Sequence, residues 1–210
     1  QPLTAAELAR AAQEIYTALT PTAQIAWPLL SEQCGCEVWV KHENHLPTGA
    51  FKVRGGVWFM HQLRDAMPEV RGVVAATRGN HGQSIAFAAR RHGLSAVVVV
   101  PYGNNPEKNQ AMRALGAELI EHGEDFNAAL EYATALAERR GLFAMPSYHP
   151  LLVQGVGTYG YELLRLEEVG RIEFIFQHLV AAGAAENDQD AAVGRLQQRG
   201  LPVVALCIVE

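Results

Sequence analysis

Positive charge is scarce in this chain. Lys and Arg total 17 against 22 Asp and Glu, a net charge of −5. That leaves no basic surplus to neutralise a phosphate backbone, so nucleic acid is excluded as a main partner. Lysine is scarcer still, since only Lys41, Lys52 and Lys108 occur among the basic residues. A chain that covers its surface with arginine has few reasons to keep a lysine among apolar neighbours. Long apolar runs are missing too. No stretch approaches the ~20 continuous apolar residues of a membrane span, and no membrane partner is expected. Gln1 to Glu14 shows neither a secretory signal nor a transit pattern. The three cysteines cannot all pair, and Cys34 and Cys36 are separated by one glycine, tighter than C-x-x-C spacing. We therefore expect no disulfide framework, a cytoplasmic chain, and three small, mostly buried thiols.

What is present is the balance of a globular protein: 49% hydrophobic and 19% charged residues over 210. That length suits one good-sized domain or two small ones. Thr4 to Leu19 is expected as an amphipathic helix, with Thr4 as N-cap and Glu7 completing a capping box. Glu37 to Lys41 alternates and is rich in β-formers, which predicts a strand. A polar loop follows at His42 to Gly49, and Ala50 to Ala66 has a helical period. Then Gly72 to Ala76, Ala96 to Val100, Ala117 to Glu121 and Leu142 to Met145 form short apolar runs. They alternate with helical stretches at Gly82 to His92, Pro106 to Leu115 and Phe126 to Arg140. This alternation predicts an open α/β unit whose parallel sheet is covered on both faces. Further on, Tyr159 to Val169 and Asp188 to Arg199 are expected as helices, Glu173 to Val180 and Val203 to Val209 as strands.

Two segments carry chemistry. Pro47-Thr48-Gly49-Ala50-Phe51-Lys52-Val53-Arg54-Gly55-Gly56 sets a lysine between aromatic and aliphatic neighbours at a glycine-marked entry to a helix. A desolvated lysine has a depressed pKa and becomes a usable amine nucleophile, as Schiff-base chemistry requires. The competing reading is a lysine that snorkels to the surface. Thr77-Arg78-Gly79-Asn80-His81-Gly82-Gln83 lies between an apolar strand and a helix. Ligands gather at such strand ends, where loop amides and helix N-termini attract anions. A tight Gly-Asn turn with His81 as a cap is the plain alternative.

Together these segments resemble the pyridoxal-phosphate enzymes of fold type II, the threonine dehydratase and serine racemase group. The first is similar to that family's S-F-K-x-R-G segment, and the second to its S-x-G-N-H-x-Q loop. Lys108 with Gly116-Ala117-Glu118-Leu119-Ile120 resembles its K … G-A-E-V stretch. Gln154-Gly155-Val156-Gly157-Thr158 with Glu162 resembles its G-x-G-T … E segment. The resemblance implies pyridoxal 5'-phosphate as cofactor and a fold with open parallel sheets in two domains, akin to the tryptophan synthase β chain. Lys52 would be the Schiff-base lysine and then the base near the substrate α-carbon. Phe51 would pack by the cofactor ring, and Asn80 would hydrogen-bond the ring 3'-oxygen. Thr77, Arg78, Gly79, Asn80 and His81 would form the loop that receives the substrate carboxylate. A small amino-acid substrate and a homodimer are further implications.

Departures from the family pattern stand beside this. The glycine-rich phosphate loop of the family corresponds here to Ala181-Ala182-Gly183-Ala184, whose methyls obstruct backbone approach to an anion. The chain also stops at Glu210, where the family continues, so the larger domain is expected to be incomplete. Glu210 resembles a divalent-metal ligand of some members, but its companions would lie past the end, and no metal is assigned. Arg78 replaces a serine found in racemizing relatives. An arginine cannot shuttle a proton at neutral pH, which disfavours racemization. Gly155 to Gly160 satisfies G-x-G-x-x-G, yet it lacks a good strand before it and an acid at the right later strand end, so a nicotinamide site is not expected.

The domains are expected at 1–47 and 153–210 for the larger, split domain and at 48–152 for the smaller nested one. The expected activity is β-elimination of a hydroxy-amino acid, threonine or serine, to a 2-oxo acid and ammonia. The alternatives are a non-catalytic relative without cofactor, a hydroxyaspartate dehydratase that uses Arg78, and a β-replacement enzyme. The last of these commonly has threonine where His81 stands.

Overall fold

The computed structural model describes residues 3–165, 174–179 and 203–209. The chain forms two compact units, one from residues 1–19 and 52–158, the other from 20–51 and 159–210.

In the first unit, α1 (Ala5–Ile15) begins at Thr4 with both bonds of the capping box in place. Its buried face of Ala11, Ala12 and Ile15 packs on α3 (Lys52–Ala66). Residues 1–19 and 52–158 share this unit. The strands β3 (Gly72–Ala76), β4 (Ser95–Val100), β5 (Glu118–Glu121) and β6 (Phe143–Ala144) form a parallel sheet ordered β5-β4-β3-β6. Its helices are α4 (Asn80–Arg91), α5 (Pro106–Ala114) and α6 (Phe126–Arg140). Both faces of β3 and β4 are covered, which explains their unbroken apolar runs. Val74, Ala76, Val97 and Val99 pack with Ala129, Ala133, Leu136 and Ala137 of α6. The opposite face carries Val98, which lies against α4 at Gly82.

One expectation is corrected here. The helix placed at Tyr159 to Val169 is α7 (Pro150–Leu163), which begins nine residues earlier. Proline suits a first helical turn because its missing N–H needs no partner there. The ring of His149 accepts the Leu151 amide at 3.1 Å, capping the start. Glycines at 155 and 157 weaken a helix in isolation, but packing requires one of them. A Cβ on Gly155 would lie 2.7 Å from the Arg54 carbonyl oxygen, and one on Gly55 would lie 2.7 Å from that of Leu152. The G-x-G-x-x-G letters therefore mark a close helix crossing inside α7. Trp58 Nε1 donates to Gln154 Oε1 at 3.0 Å, and Gln154 Nε2 donates to the Glu7 carbonyl at 3.1 Å, tying α3, α7 and α1 together.

In the second unit, β2 (Glu37–His42) pairs in parallel with β8 (Val203–Val209), which pairs in parallel with β7 (Phe174–Leu179). A short antiparallel strand, β1 (Gln24–Ala26), edges the sheet, whose order is β1-β2-β8-β7. The last strand of the chain is thus an inner one. Neither β1 nor α2 (Pro28–Cys34) was anticipated, being three and seven residues long. Lys41 on β2 is buried, and its Nζ pairs with Glu162 Oε2 at 2.5 Å and donates to the Thr22 carbonyl at 2.8 Å. Thr22 Oγ1 donates to the fully buried Glu43 at 2.7 Å. The helix expected at Asp188 to Arg199 and the Ala181-Ala182-Gly183-Ala184 loop lie outside the described residues. Among the described residues no helix is long and apolar enough to cross a membrane.

Candidate functional site

The site grows from two chain ends in the first unit: the start of α3 and the loop that leads from β3 into α4. Lys52 is the first residue of α3. Ser84 Oγ, one turn into α4, donates to the Lys52 carbonyl at 2.6 Å. The helices touch so closely that a Cβ on Gly56 would lie 2.9 Å from the Ser84 carbonyl oxygen. That crossing brings Lys52 to the carboxyl end of the sheet, where Thr77, Arg78 and Gly79 follow β3.

The loop is held by backbone and side chain together. The Thr77 amide donates to the Val99 carbonyl at 3.0 Å, continuing the β3–β4 ladder. Thr77 Oγ1 accepts the Gly79 amide at 3.1 Å. Asn80 then opens α4, and no side chain caps this helix from Gly79. Amides at an uncapped helix start are suited to an anion such as a carboxylate. Gly79 leaves room that the Lys108 side chain takes, because a Cβ there would meet Lys108 Cδ at 2.7 Å. Gly82 has the same role one turn on, with Thr77 Cγ2 2.6 Å from where its Cβ would be.

Burial sets the electrostatics. It holds the half-buried Lys52 amine below the usual lysine range. His81 is pushed down to about 4, first by burial, then by the Lys52 charge, and against a hydrogen bond with the Pro146 carbonyl. At neutral pH that ring is uncharged. Arg78 is exposed.

Of the residues expected from the sequence, Lys52, Thr77, Arg78, Gly79, Asn80 and His81 all belong to this unit. Phe51 is buried in the other, where its ring meets Tyr159 edge-on with centroids 6.2 Å apart. Ala181, Ala182, Gly183 and Ala184 lie outside the described residues. Sequence reasoning missed the Ser84 clamp and the position of Lys108 over Gly79. The sequence signals for Lys108 were the shortage of lysine and its place in the K … G-A-E-V resemblance, neither of which put it over Gly79.

With this geometry in place, four likenesses are informative. Residues 15–186 match the family described as pyridoxal-phosphate dependent enzyme. The biosynthetic L-threonine dehydratase of Haemophilus influenzae is 31% identical over 197 residues, 93% of this chain and 37% of that protein. The L-threonine ammonia-lyase of Geobacter sulfurreducens is 41% identical over 145 residues, 68% of this chain and 36% of that one. The chain thus spans about a third of the length of these curated relatives. Among solved structures, a pyridoxal 5'-phosphate-dependent aspartate racemase superposes with a TM-score of 0.78 at 26% identity, covering 98% of this chain and 62% of that one.

Proposed function

Because this chain belongs to the family of pyridoxal-phosphate dependent enzymes, of the fold-type-II kind, we propose that it is a dehydratase of a small hydroxy-amino acid. Threonine or serine would lose its α-proton and its β-hydroxyl. One water leaves in the elimination and one returns in hydrolysis, so threonine yields 2-oxobutanoate and ammonium. The observation that carries this reading is the half-buried Lys52, its pKa lowered by burial, clamped by Ser84 beside a loop built for an anion.

The residues present fit the cofactor. An amine below its usual pKa is available to an aldehyde at neutral pH, and Asn80 stands at the first position of α4 with a side chain that can donate or accept. Lys52 Nζ would hold the group covalently, and Asn80 would hydrogen-bond its ring oxygen. When bound, pyridoxal phosphate supplies an electron sink for the charge left at the substrate α-carbon.

The rest is done by side chains and backbone of this chain. The amides at the start of α4 bind the substrate carboxylate and fix which bond at the α-carbon faces Lys52. Lys52 Nζ takes the α-proton, and its lowered basicity keeps it in the receptive form more of the time. Arg78, always charged, offers no second proton carrier at this loop, which favours elimination over racemization. The names of the threonine dehydratase and threonine ammonia-lyase relatives support the substrate class.

The test is to load the purified chain with pyridoxal phosphate, desalt it, and record the visible absorbance before and after borohydride. Retained absorbance that borohydride fixes to the Lys52 peptide, with 2-oxo acid release from threonine or serine, is expected. A folded chain that retains the cofactor and releases no 2-oxo acid from either amino acid overturns the dehydratase reading.

A further inference from the structure

The ring of His81 holds an acceptor that nothing on the described chain uses. Its Nε2 is buried without a hydrogen-bond partner. The bond with the Pro146 carbonyl therefore belongs to Nδ1, which must carry the proton to donate it. The other nitrogen is left with its lone pair, fixed in direction because α4 and Pro146 hold the ring from two sides. Burial keeps the ring neutral through the physiological range, so the lone pair persists there. Among the described residues Lys52 is the charge felt by this ring, which places the two groups within electrostatic reach. Of the other cations bordering the loop, Arg78 is exposed and Lys108 lies over Gly79.

A buried acceptor of fixed direction is costly to leave unmatched, and a lysine amine has only hydrogens to offer it. We propose that His81 is a positioning residue for Lys52: its Nε2, left open in this structure, accepts a hydrogen bond from the Lys52 amine when that amine turns toward it, free of a covalent partner. The consequence is orientation. With one hydrogen committed to His81, the rest of the amine turns toward the start of α4, where the substrate α-carbon is brought by its carboxylate. That consequence rests on the dehydratase reading, while the hydrogen bond itself does not.

The scarcity of lysine makes the test direct. In the cofactor-free chain, the pH dependence of amine acetylation is read peptide by peptide for Lys41, Lys52 and Lys108. Replacing His81→Phe keeps a ring but removes the acceptor, so the Lys52 ammonium loses a partner and gives up its proton more easily. The expected shift is about one pH unit downward, or about tenfold more free amine at a fixed pH below the midpoint. Lys41 should stay protected and Lys108 unchanged. His81→Gln, which restores an acceptor oxygen, should return the midpoint most of the way. An unchanged Lys52 midpoint in His81→Phe with Lys41 still protected overturns the proposal and leaves the ring bonded to water.

If His81→Phe exposes Lys41, the variant has unfolded and a second measurement decides. In Lys52→Met the 15N resonance of His81 Nε2 should move far more than that of Nδ1, and equal or absent movement overturns the proposal. No arm reads turnover. An inactive chain leaves a positive result standing, and an active chain does not rescue a negative one.

Discussion

Lys41 and Lys52 leave bulk water by different routes, one in each compact unit. Lys41 takes its counter-charge with it, 2.5 Å from Glu162 and bonded to the Thr22 carbonyl, at 2% exposure for the lysine and 7% for the glutamate. In such a pair the buried ammonium is matched by a carboxylate and a carbonyl that occupy its hydrogens. Lys52 is only half-buried, yet burial lowers its pKa and so favours the neutral amine. One lysine is built as a charge, the other as a nucleophile. The surrounding elements follow suit. Lys41 lies within strand β2, paired to β1 at Gln24, whereas Lys52 starts a helix opposite an uncapped helix end.

The hardest break of this contrast is Lys52→Ala. We expect complete loss of cofactor retained through desalting and of any 2-oxo acid release, with the urea midpoint unmoved or slightly raised. Retained visible absorbance in this variant would falsify the assignment of Lys52. Next in size is Glu162→Gln, which strands the buried Lys41 cation. Removing one partner of a buried pair costs about 3–5 kcal/mol, read as a lower urea midpoint at neutral pH, while the acetylation midpoint of Lys52 stays in place. A cost below about 1 kcal/mol would mean that the pair behaves like one at the surface, and the contrast between the two lysines would collapse.

The same contrast marks what the sequence could show. Lys52 was legible because its neighbours are local: the apolar flanks and the glycines lie in one ten-residue stretch. Strands β3 and β8 and helix α6 also end where their apolar patterns end. Lys41 was not legible as half of an ion pair, because Glu162 belongs to a distant helix and no spacing rule links them. The start of α7 was hidden by Gly155 and Gly157, which argue against a helix until Gly55 and Arg54 are seen packed against it. Ser84 and Lys108 were missed for a related reason. Each acts on the loop through a neighbouring helix, and only the crossing of α4 with α3 and α5 brings them there.

A smaller effect concerns His81 and acid. Its pKa is near 4 in the folded chain against about 6.5 unfolded, so the unfolded chain takes up the proton first as pH falls. The stability it contributes is complete above 6.5 and is lost between 6.5 and 4, by up to roughly 3 kcal/mol. Burial lowers His42 and His92 as well, and they slope the same way. The measurement is therefore urea unfolding from pH 7.5 to 4.5 for the wild type and for His81→Gln. The wild type should lose stability faster toward acid, and parallel curves would show that His81 titrates as if exposed.

The least disruptive change is Ser84→Ala, and it probes how tightly the Lys52 end of α3 is held. The hydroxyl is buried and its bond to the Lys52 carbonyl is 2.6 Å. Losing a hydrogen bond of this kind costs about 0.5–1.5 kcal/mol. The fold should survive with a urea midpoint lowered by about 1 kcal/mol equivalent. If the clamp serves only stability, turnover per cofactor-loaded chain stays at the wild-type value. If it aims Lys52, turnover falls while the cofactor is still retained, because a misplacement of about 1 Å at a reacting group can cost a hundredfold in rate. No comparable loss should follow from removing the Thr22 hydroxyl beside Lys41, whose amine has no reaction to be aimed at.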